Sequence, residues 1–437
     1  MTDNSISELG LVGCGGAGFP MHVKLAAKGV QHFIVNGAEC EPLLHKDKEI
    51  LKHHTEEFLL GLIRALDLTK AEFGHIAVKK KYAGLISHLE GKIKDARIKV
   101  LRLGDFYPAG DEYELVYETS GRLIPCGGIP LNVGCVVSNV ETLMHFGRNR
   151  PVTTTFLTIA GAVPKPLTVE VPVGISIREA LSLSGLRNLD DLTIIDGGPM
   201  MGRLVGSVDD EVVTKTCGGL IALPTDHPLI VKMTRSSSKI RRIARSSCDQ
   251  CIDCTELCPR FLLGYPIKPH KAMRAAQLAP FNDQNYSVES IFCSECGLCS
   301  LFSCPEDLPP REIAIMAKKY HLTHGVKPTD WTGAQSIHAM RSARRVSIDR
   351  LLKRLGLSDY DRKAPLMKVE IRCERVRLPL KMSLGAPAEP LVEANDRVTV
   401  GQKIGAIPDK KLGAALHASI SGRIESVTPN AITIIRE

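Results

Sequence analysis

The sequence predicts a multidomain α/β protein. Three observations carry that expectation: a chain of 437 residues, strands alternating with helices over its first third, and eight of fourteen cysteines gathered into two short runs. One hydrophobic core rarely serves so long a chain, so several domains follow. Apolar content of 44% and charged content of 24% are globular values, which sets disorder and fibrous classes aside.

Within residues 1–150, His32 to Asn36 reads as a short strand and Glu49 to Leu66 has helical apolar spacing. His75 to Lys79 and Lys99 to Leu103 read as further strands, and Gly- and Pro-rich turns run from Tyr107 to Gly134. The pattern then changes. Over 151–235, Thr155 to Ala160 and Leu167 to Val171 suit a hairpin, Ile177 to Leu183 a helix, and Leu192 to Ile195 a strand before Asp196-Gly197-Gly198-Pro199. That is a compact β-plus-one-helix unit of β-grasp size. The cysteine module spans 236–325, with a helix-like Pro269 to Leu278 between its runs. A basic, polar stretch, 326–366, reads as a linker. Residues 367–437 are strand-rich with regular turns and predict a small all-β domain.

Cys248-x2-Cys251-x2-Cys254-x3-Cys258-Pro259 is the first cysteine run, and Cys293-x2-Cys296-x2-Cys299-x4-Cys304-Pro305 is the second. The first has the spacing of a bacterial ferredoxin motif; the second carries one extra residue before its last cysteine. Structural zinc takes Cys-x2-Cys pairs that are well separated, which these compact runs are not. Two [4Fe–4S] clusters are therefore expected, with the fourth cysteine of each run exchanged. Cys304 joins Cys248, Cys251 and Cys254, while Cys258 joins Cys293, Cys296 and Cys299. Cys14, Cys40, Cys126, Cys135, Cys217 and Cys373 show no ligand spacing and read as packed thiols.

The formal net charge is +8, with basic clusters at Lys79 to Lys81, Lys239 to Arg245 and Arg341 to Arg354. Aromatics make up only 5% of the chain and do not interleave with these clusters, so no stacking surface for nucleic acid is expected. No apolar run reaches membrane-spanning length, and the first residues lack a signal-peptide pattern. With cysteines arranged for metal, a reducing cytoplasm is the expected location.

Gly13-Cys14-Gly15-Gly16-Ala17-Gly18-Phe19-Pro20 satisfies G-x-G-x-x-G, but Ser5 to Gly10 before it is a poor core strand. A dinucleotide fingerprint is not favoured on those grounds. The glycines still allow close approach of a planar ring or phosphate.

These residues, followed by Lys24, resemble the flavin mononucleotide (FMN) loop of the NADH-oxidising component of respiratory complex I and of the Rnf-C proteins. Asn36-Gly37-Ala38-Glu39-Cys40-Glu41-Pro42, Tyr107 to Glu112, and Ser138 to Leu143 are similar to that family's further flavin and nucleotide segments. The domain order, with the β domain at the C-terminus, looks most like the cobalamin reductases of propanediol-utilisation microcompartments. The resemblance implies a flavin-binding α/β domain, a soluble-ligand-binding β-grasp domain, a double-cluster ferredoxin-like helical module and a C-terminal β barrel-sandwich domain. It implies that Gly15, Gly16, Gly18 and Lys24 hold FMN, with Asn36, Asn139 and Thr142 bonding its polar groups. Glu39, Glu41 and Glu112 would line the nicotinamide and ribose side. Ala38, Cys14 and Ser138 depart from the complex I pattern, where acidic, arginine and asparagine residues stand. Lys411 sits where a biotinyl or lipoyl domain carries its group, yet the flanking residues differ and an unmodified lysine is expected.

The implied activity is NADH-dependent reduction of a corrinoid through FMN and two [4Fe–4S] clusters, since flavin converts two-electron into one-electron chemistry. Implied partners are the corrinoid itself, an adenosyltransferase and the shell proteins of a bacterial microcompartment. Two other readings stay open: an electron-transfer flavoprotein serving a ferredoxin or partner enzyme, and a non-catalytic cluster-bearing component.

Overall fold

The computed structural model describes residues 6–278, 288–331 and 335–437. Residues 279–287 of the expected cysteine module and 332–334 of the expected linker lie outside that description. The N-terminal domain is built on a four-stranded parallel sheet in the order β3-β2-β1-β5, from β1 (His32–Gly37), β2 (Phe73–Lys79), β3 (Ile98–Leu103) and β5 (Cys135–Asn139). Phe33, Ile34 and Val35 are consecutive and fully buried, as a central strand covered on both faces requires. The expected helix over Glu49 to Leu66 is two helices, Lys46–His53 and Thr55–Thr69, broken at His54.

The helices Thr55–Thr69 and Val140–Arg148 cross backbone to backbone behind this sheet. A Cβ at Gly61 would lie 1.9 Å from the Leu143 carbonyl oxygen, and one at Gly147 would lie 1.8 Å from that of Glu57. Only glycine permits so close a crossing, which packs the helix that follows β5 directly against Thr55–Thr69.

The middle domain is a six-stranded mixed sheet in the order β12-β7-β6-β10-β8-β9. Its strands are β6 (Thr154–Gly161), β7 (Leu167–Pro172), β8 (Leu192–Asp196), β9 (Arg203–Leu204), β10 (Gly219–Pro224) and β12 (Leu366–Met367), with the helix Ile177–Ser182. The β6–β7 hairpin, the helix and β8 follow the sequence expectation. Beyond β12, the strands between Arg375 and Ile435 form a four-stranded and a three-stranded antiparallel sheet. Their core is continuous with that of the middle domain: Val376, Leu378, Ile424 and Ile432 join Leu157, Val169, Ile177 and Leu220 in one buried cluster.

The 326–366 segment, expected as a linker, carries structure of its own. Its strand β11 (Val346–Ser347) pairs with β4 (Phe106–Tyr107), and the helix Ile348–Leu355 follows. Arg341 is 8% exposed and is bound to Glu114 and to Glu118, the latter at 2.7 Å; Arg345 also grips Glu118. Lys79 is likewise buried and paired with Asp105 at 3.1 Å. Parts of two basic clusters thus hold the fold together. Among the described residues, no helix is long and apolar enough to cross a membrane.

Candidate functional site: a flavin crevice and two cysteine sets

From β1 the chain runs to β2 on one side, while β5 pairs on the other. The carboxyl ends of β1 and β5 are therefore a topological switch point, where open α/β sheets bind ligands. Asn36 and Asn139 stand opposite each other in that register. The glycine loop closes over them: the Gly13 amide donates to the Phe19 carbonyl at 2.9 Å, and a Cβ on Gly15 would touch Asn139 at 3.6 Å.

Thr142 fixes the loop, accepting from the Cys14 amide at 3.0 Å and donating to the Val12 carbonyl at 3.1 Å. Asn139 caps its helix by accepting from the Glu141 amide at 2.9 Å and donates to both Asp47 oxygens at 3.1 Å. Lys24 donates to the Val137 carbonyl at 2.7 Å and lies 3.7 Å from Glu112. Asn36 donates to the Gly110 carbonyl at 2.9 Å, tying β1 to the Tyr107–Glu112 segment.

Glu39 accepts from the Asp47 amide at 2.7 Å, and burial pushes its carboxyl up to about 8. Glu41 points away toward the middle domain, accepting from the Met200 amide at 2.9 Å. Burial raises it to about 7. Gly18 is covered by Thr216 and by Ser383–Leu384 of the C-terminal domain, whose Leu384 amide donates to the Gly18 carbonyl at 2.9 Å. Gly15, Gly16, Lys24, Asn36, Glu39, Glu112 and Asn139 thus gather at the carboxyl ends of β1 and β5, the candidate flavin crevice. Thr142, expected to bond the flavin, is instead fully buried with its hydroxyl committed to the loop. Gly18 and Glu41 form joints to neighbouring domains.

A second layer escaped sequence reasoning. Lys46 is buried, 2.7 Å from Glu141 and 3.0 Å from the Cys14 carbonyl. Burial would raise the Glu141 carboxyl, but Lys46 and a bond with His145 hold it down to about 2. Removing one partner of such a pair costs roughly 3–5 kcal/mol, so it anchors the loop firmly. No spacing signal marks it, because the partners lie far apart in the chain.

The cysteines gather into two sets. Burial, then the fields of Cys248, Cys251 and Cys304, push Cys254 up to about 12. Burial, then Cys296 and Cys293 among others, raise Cys258, and Cys293, Cys296 and Cys258 act on Cys299. The fourth cysteine of each run has crossed to the other's set. Cys248, Cys251, Cys254 and Cys304 line one small, solvent-open cavity. Among the described residues no three such side chains converge on a point for a single metal ion. Four thiols around a space, rather than a point, fit a cluster, whose positive iron offsets their mutual repulsion.

The runs share one backbone form. Gln250 and Ile252 in the first, and Glu295 and Gly297 in the second, take φ of 62°, 65°, 61° and 81°. The extra residue of the second run is absorbed by a wider π-helical turn, Cys299–Ser303, in which the Cys304 amide reaches the Cys299 carbonyl at 3.2 Å.

The Cys258/Cys293/Cys296/Cys299 set is the inner one and abuts the flavin domain. The Tyr107 hydroxyl donates to the Cys296 carbonyl at 2.6 Å. Arg260, two residues past Cys258, bonds Asp111 at 2.9 Å and lies 3.5 Å over the Tyr113 ring. The Tyr107–Glu112 segment therefore touches the crevice through Gly110 and the inner set through Tyr107 and Asp111. In the outer set, Cys251 is exposed.

Comparison with known proteins agrees with this architecture. Residues 6–147 match the Nuo51 FMN-binding domain, 247–309 a 4Fe-4S dicluster domain, and 358–436 the RnfC barrel sandwich hybrid domain. The chain is 34% identical to the C component of the Na⁺-translocating ferredoxin:NAD⁺ oxidoreductase complex of Acetobacterium woodii, over 58% of this chain and 56% of that one. It is 39% identical to the cobalamin reductase PduS of Citrobacter freundii, over 99% and 95% of the two chains. With the same protein of Salmonella typhimurium it shares 40% identity over 99% of this chain and 95% of that one, and the chain thus belongs to the cobalamin reductase PduS family.

Proposed function

We propose that this protein takes electrons from NADH and passes them through FMN and two [4Fe–4S] clusters to a corrinoid, bringing cob(III)alamin or cob(II)alamin to cob(I)alamin. The observation that carries this reading is that one segment, Tyr107–Glu112, touches both the crevice and the inner cysteine set. Bound FMN supplies the conversion of a hydride into single electrons, and the clusters supply one-electron relay.

The chain's own residues divide the remaining work. Gly15 and Gly16 give the ring an open floor, and a Cβ at Gly16 would meet nothing within 4 Å. Lys24 places positive charge beside the crevice, and Asn36, Asn139 and Thr142 hold its walls. Glu39 and Glu112 stand on the nicotinamide side. The buried Glu39 Oε2 lies 3.9 Å from Lys48 and has no hydrogen-bond partner among the described residues, which leaves it able to accept from a ligand. Glu41 is assigned to the joint with the middle domain. The crossed cysteine sets are the proposed cluster ligands. The mixed sheet with its single helix supports the β-grasp reading of the middle domain. Lys411 is exposed and read as unmodified.

By its relatives' activity, the protein would serve cobalamin reactivation in a bacterial microcompartment, alongside an adenosyltransferase and shell proteins. The test is an anaerobic mixture of cluster-replete protein, NADH and cob(III)alamin, followed by visible spectrum. Prompt NADH-dependent formation of reduced corrinoid with one bound flavin is expected. Flavin and cluster bleaching without corrinoid reduction would make a partner protein the acceptor. No bleaching would overturn NADH as donor.

A further inference from the structure

Between the middle domain and the cysteine module lies a recess with about 420 Å³ of empty space, open to solvent. Lys232, Arg235, Ser300, Asp307, Arg311 and Glu312 line it. Three cations thus face two carboxylates, and both carboxylates are already engaged. Asp307 accepts from Lys232 at 2.8 Å and from a further cation, Arg354, at 2.9 Å. Glu312 accepts from the Ser300 hydroxyl at 2.7 Å and lies 3.9 Å from Arg311. Arg235 spends one nitrogen on the Asp307 carbonyl at 2.9 Å. The buried Nε of Arg311 has no hydrogen-bond partner among the described residues. The Arg311 charge also reaches the buried Glu41 carboxyl and Cys293. With Lys232 and Arg235 beside it, the recess lining holds more cations than carboxylates, an excess that an anion offsets.

The recess also touches both cysteine sets. Ser300 follows Cys299 of the inner set directly. Leu308, on its wall, donates its amide to the Cys304 sulfur of the outer set at 3.3 Å, and it also borders the outer cavity. An acceptor anchored here sits one residue from each set. It needs no opening of the flavin crevice.

We propose that this recess is the anion anchor of the electron acceptor: it takes a phosphodiester through Arg311 and Lys232 and so holds the acceptor against the two cysteine sets. This rests on the corrinoid reading above. The phosphodiester is then that of the corrinoid's nucleotide loop; the doubly charged pyrophosphate of NADH is the competing phosphate anion. Too small for a whole corrin ring, the recess grips this appendage and leaves the ring outside over the cysteine module.

The test compares cobalamin with cobinamide, a corrinoid that lacks the nucleotide loop and its phosphodiester. Equilibrium dialysis of each against oxidised holoprotein reads binding without turnover, and NADH-driven reduction of each is measured in parallel. Cobalamin is expected to bind about tenfold more tightly than cobinamide, about 1.4 kcal/mol. Arg311→Gln and Lys232→Gln should each close most of that gap while leaving cobinamide binding unchanged. Lys232→Arg should restore it, which guards against a variant that merely loosens the fold.

Equal binding of the two corrinoids by the unaltered protein, with reduction intact, would overturn the anchor and leave the corrinoid reading standing. Failure to reduce either corrinoid would overturn both. Weaker NADH binding in the Arg311→Gln and Lys232→Gln proteins, with cobalamin binding unaltered, would assign the recess to the dinucleotide and sink the acceptor anchor.

Discussion

The two cysteine runs take the same backbone form and differ in what covers the second cysteine of each. Each turns left-handed at the residue before its second cysteine and again at the residue after it. Cys254 and Cys258 are each 8% exposed, as buried as Cys296 and Cys299 at 8% and 9%, but only at Cys296 does Tyr107 reach in from another domain to bond the backbone. In the outer run Cys251 is exposed, and its neighbours Gln250 and Gln277 bond Cys248 from within the module. The same position is glycine in the second run, Gly297, and isoleucine in the first, Ile252. Spacing sets the shape of a cysteine loop; in the proposed relay, what packs on it sets which loop receives electrons and which hands them on.

Removing a thiol separates the two roles most sharply. Cys296→Ala is expected to abolish NADH-driven acceptor reduction and to leave the outer centre unreduced, read by electron paramagnetic resonance after rapid freezing. Cys251→Ser should instead preserve NADH-driven bleaching of flavin and the inner centre, while acceptor reduction is lost. Identical behaviour of the two variants would erase the inner and outer distinction.

A milder probe is Tyr107→Phe, which strips the donor from the buried Cys296 carbonyl. Leaving a buried acceptor unpaired costs roughly 1–3 kcal/mol, so denaturant resistance should fall by about that much. The inner centre's resonance should shift while the outer one's stays fixed. A shift in both would mean the bond holds the module generally.

The strained positions give the next smaller effect. A β-branched residue at positive φ costs roughly 1–2 kcal/mol, so Ile252→Gly should stabilise the outer loop within that bound, less what glycine loses in chain entropy. Gly297→Ala should destabilise by a similar amount, since its Cβ would also come within 3.0 Å of the Met200 carbonyl. Hydrogen exchange of the two loops checks both.

The smallest effect is a pH slope confined to the inner side. Burial holds the Glu41 carboxyl at about 7, against roughly 4.3 in an unfolded chain. The folded state therefore binds the extra proton between those values. The stability this contributes is full below about pH 4.3 and lost as pH rises through 7. Ionised Glu41 also opposes adding an electron nearby, so the inner centre's potential should fall as pH rises through 7. Glu41→Gln should flatten that slope, and the outer centre should show none from this source.

Much of this was legible in the chain. The β1, β2 and β3 strands, the β6–β7 hairpin and the cysteine spacing all follow from local patterns, since apolar period and ligand spacing are properties of neighbours in sequence. The break at His54 and the close crossing at Gly61 and Gly147 were not legible, because the apolar period runs unbroken through His54 and the crossing joins segments more than eighty positions apart. Nor was the structure of the 326–366 segment. Arg341 and Arg345 look like solvated charge until Glu114 and Glu118, more than two hundred positions earlier, are folded onto them.

By itself, then, the sequence determined the module order, the glycine loop and the two cysteine runs, because each is encoded within a few residues. Only the tertiary structure decided which run faces the flavin crevice, that Thr142 and Lys46 brace the glycine loop, and that Glu41 joins two domains. Those outcomes depend on contacts between distant segments, and burial, which turns such contacts into large free energies, exists only once the chain has folded.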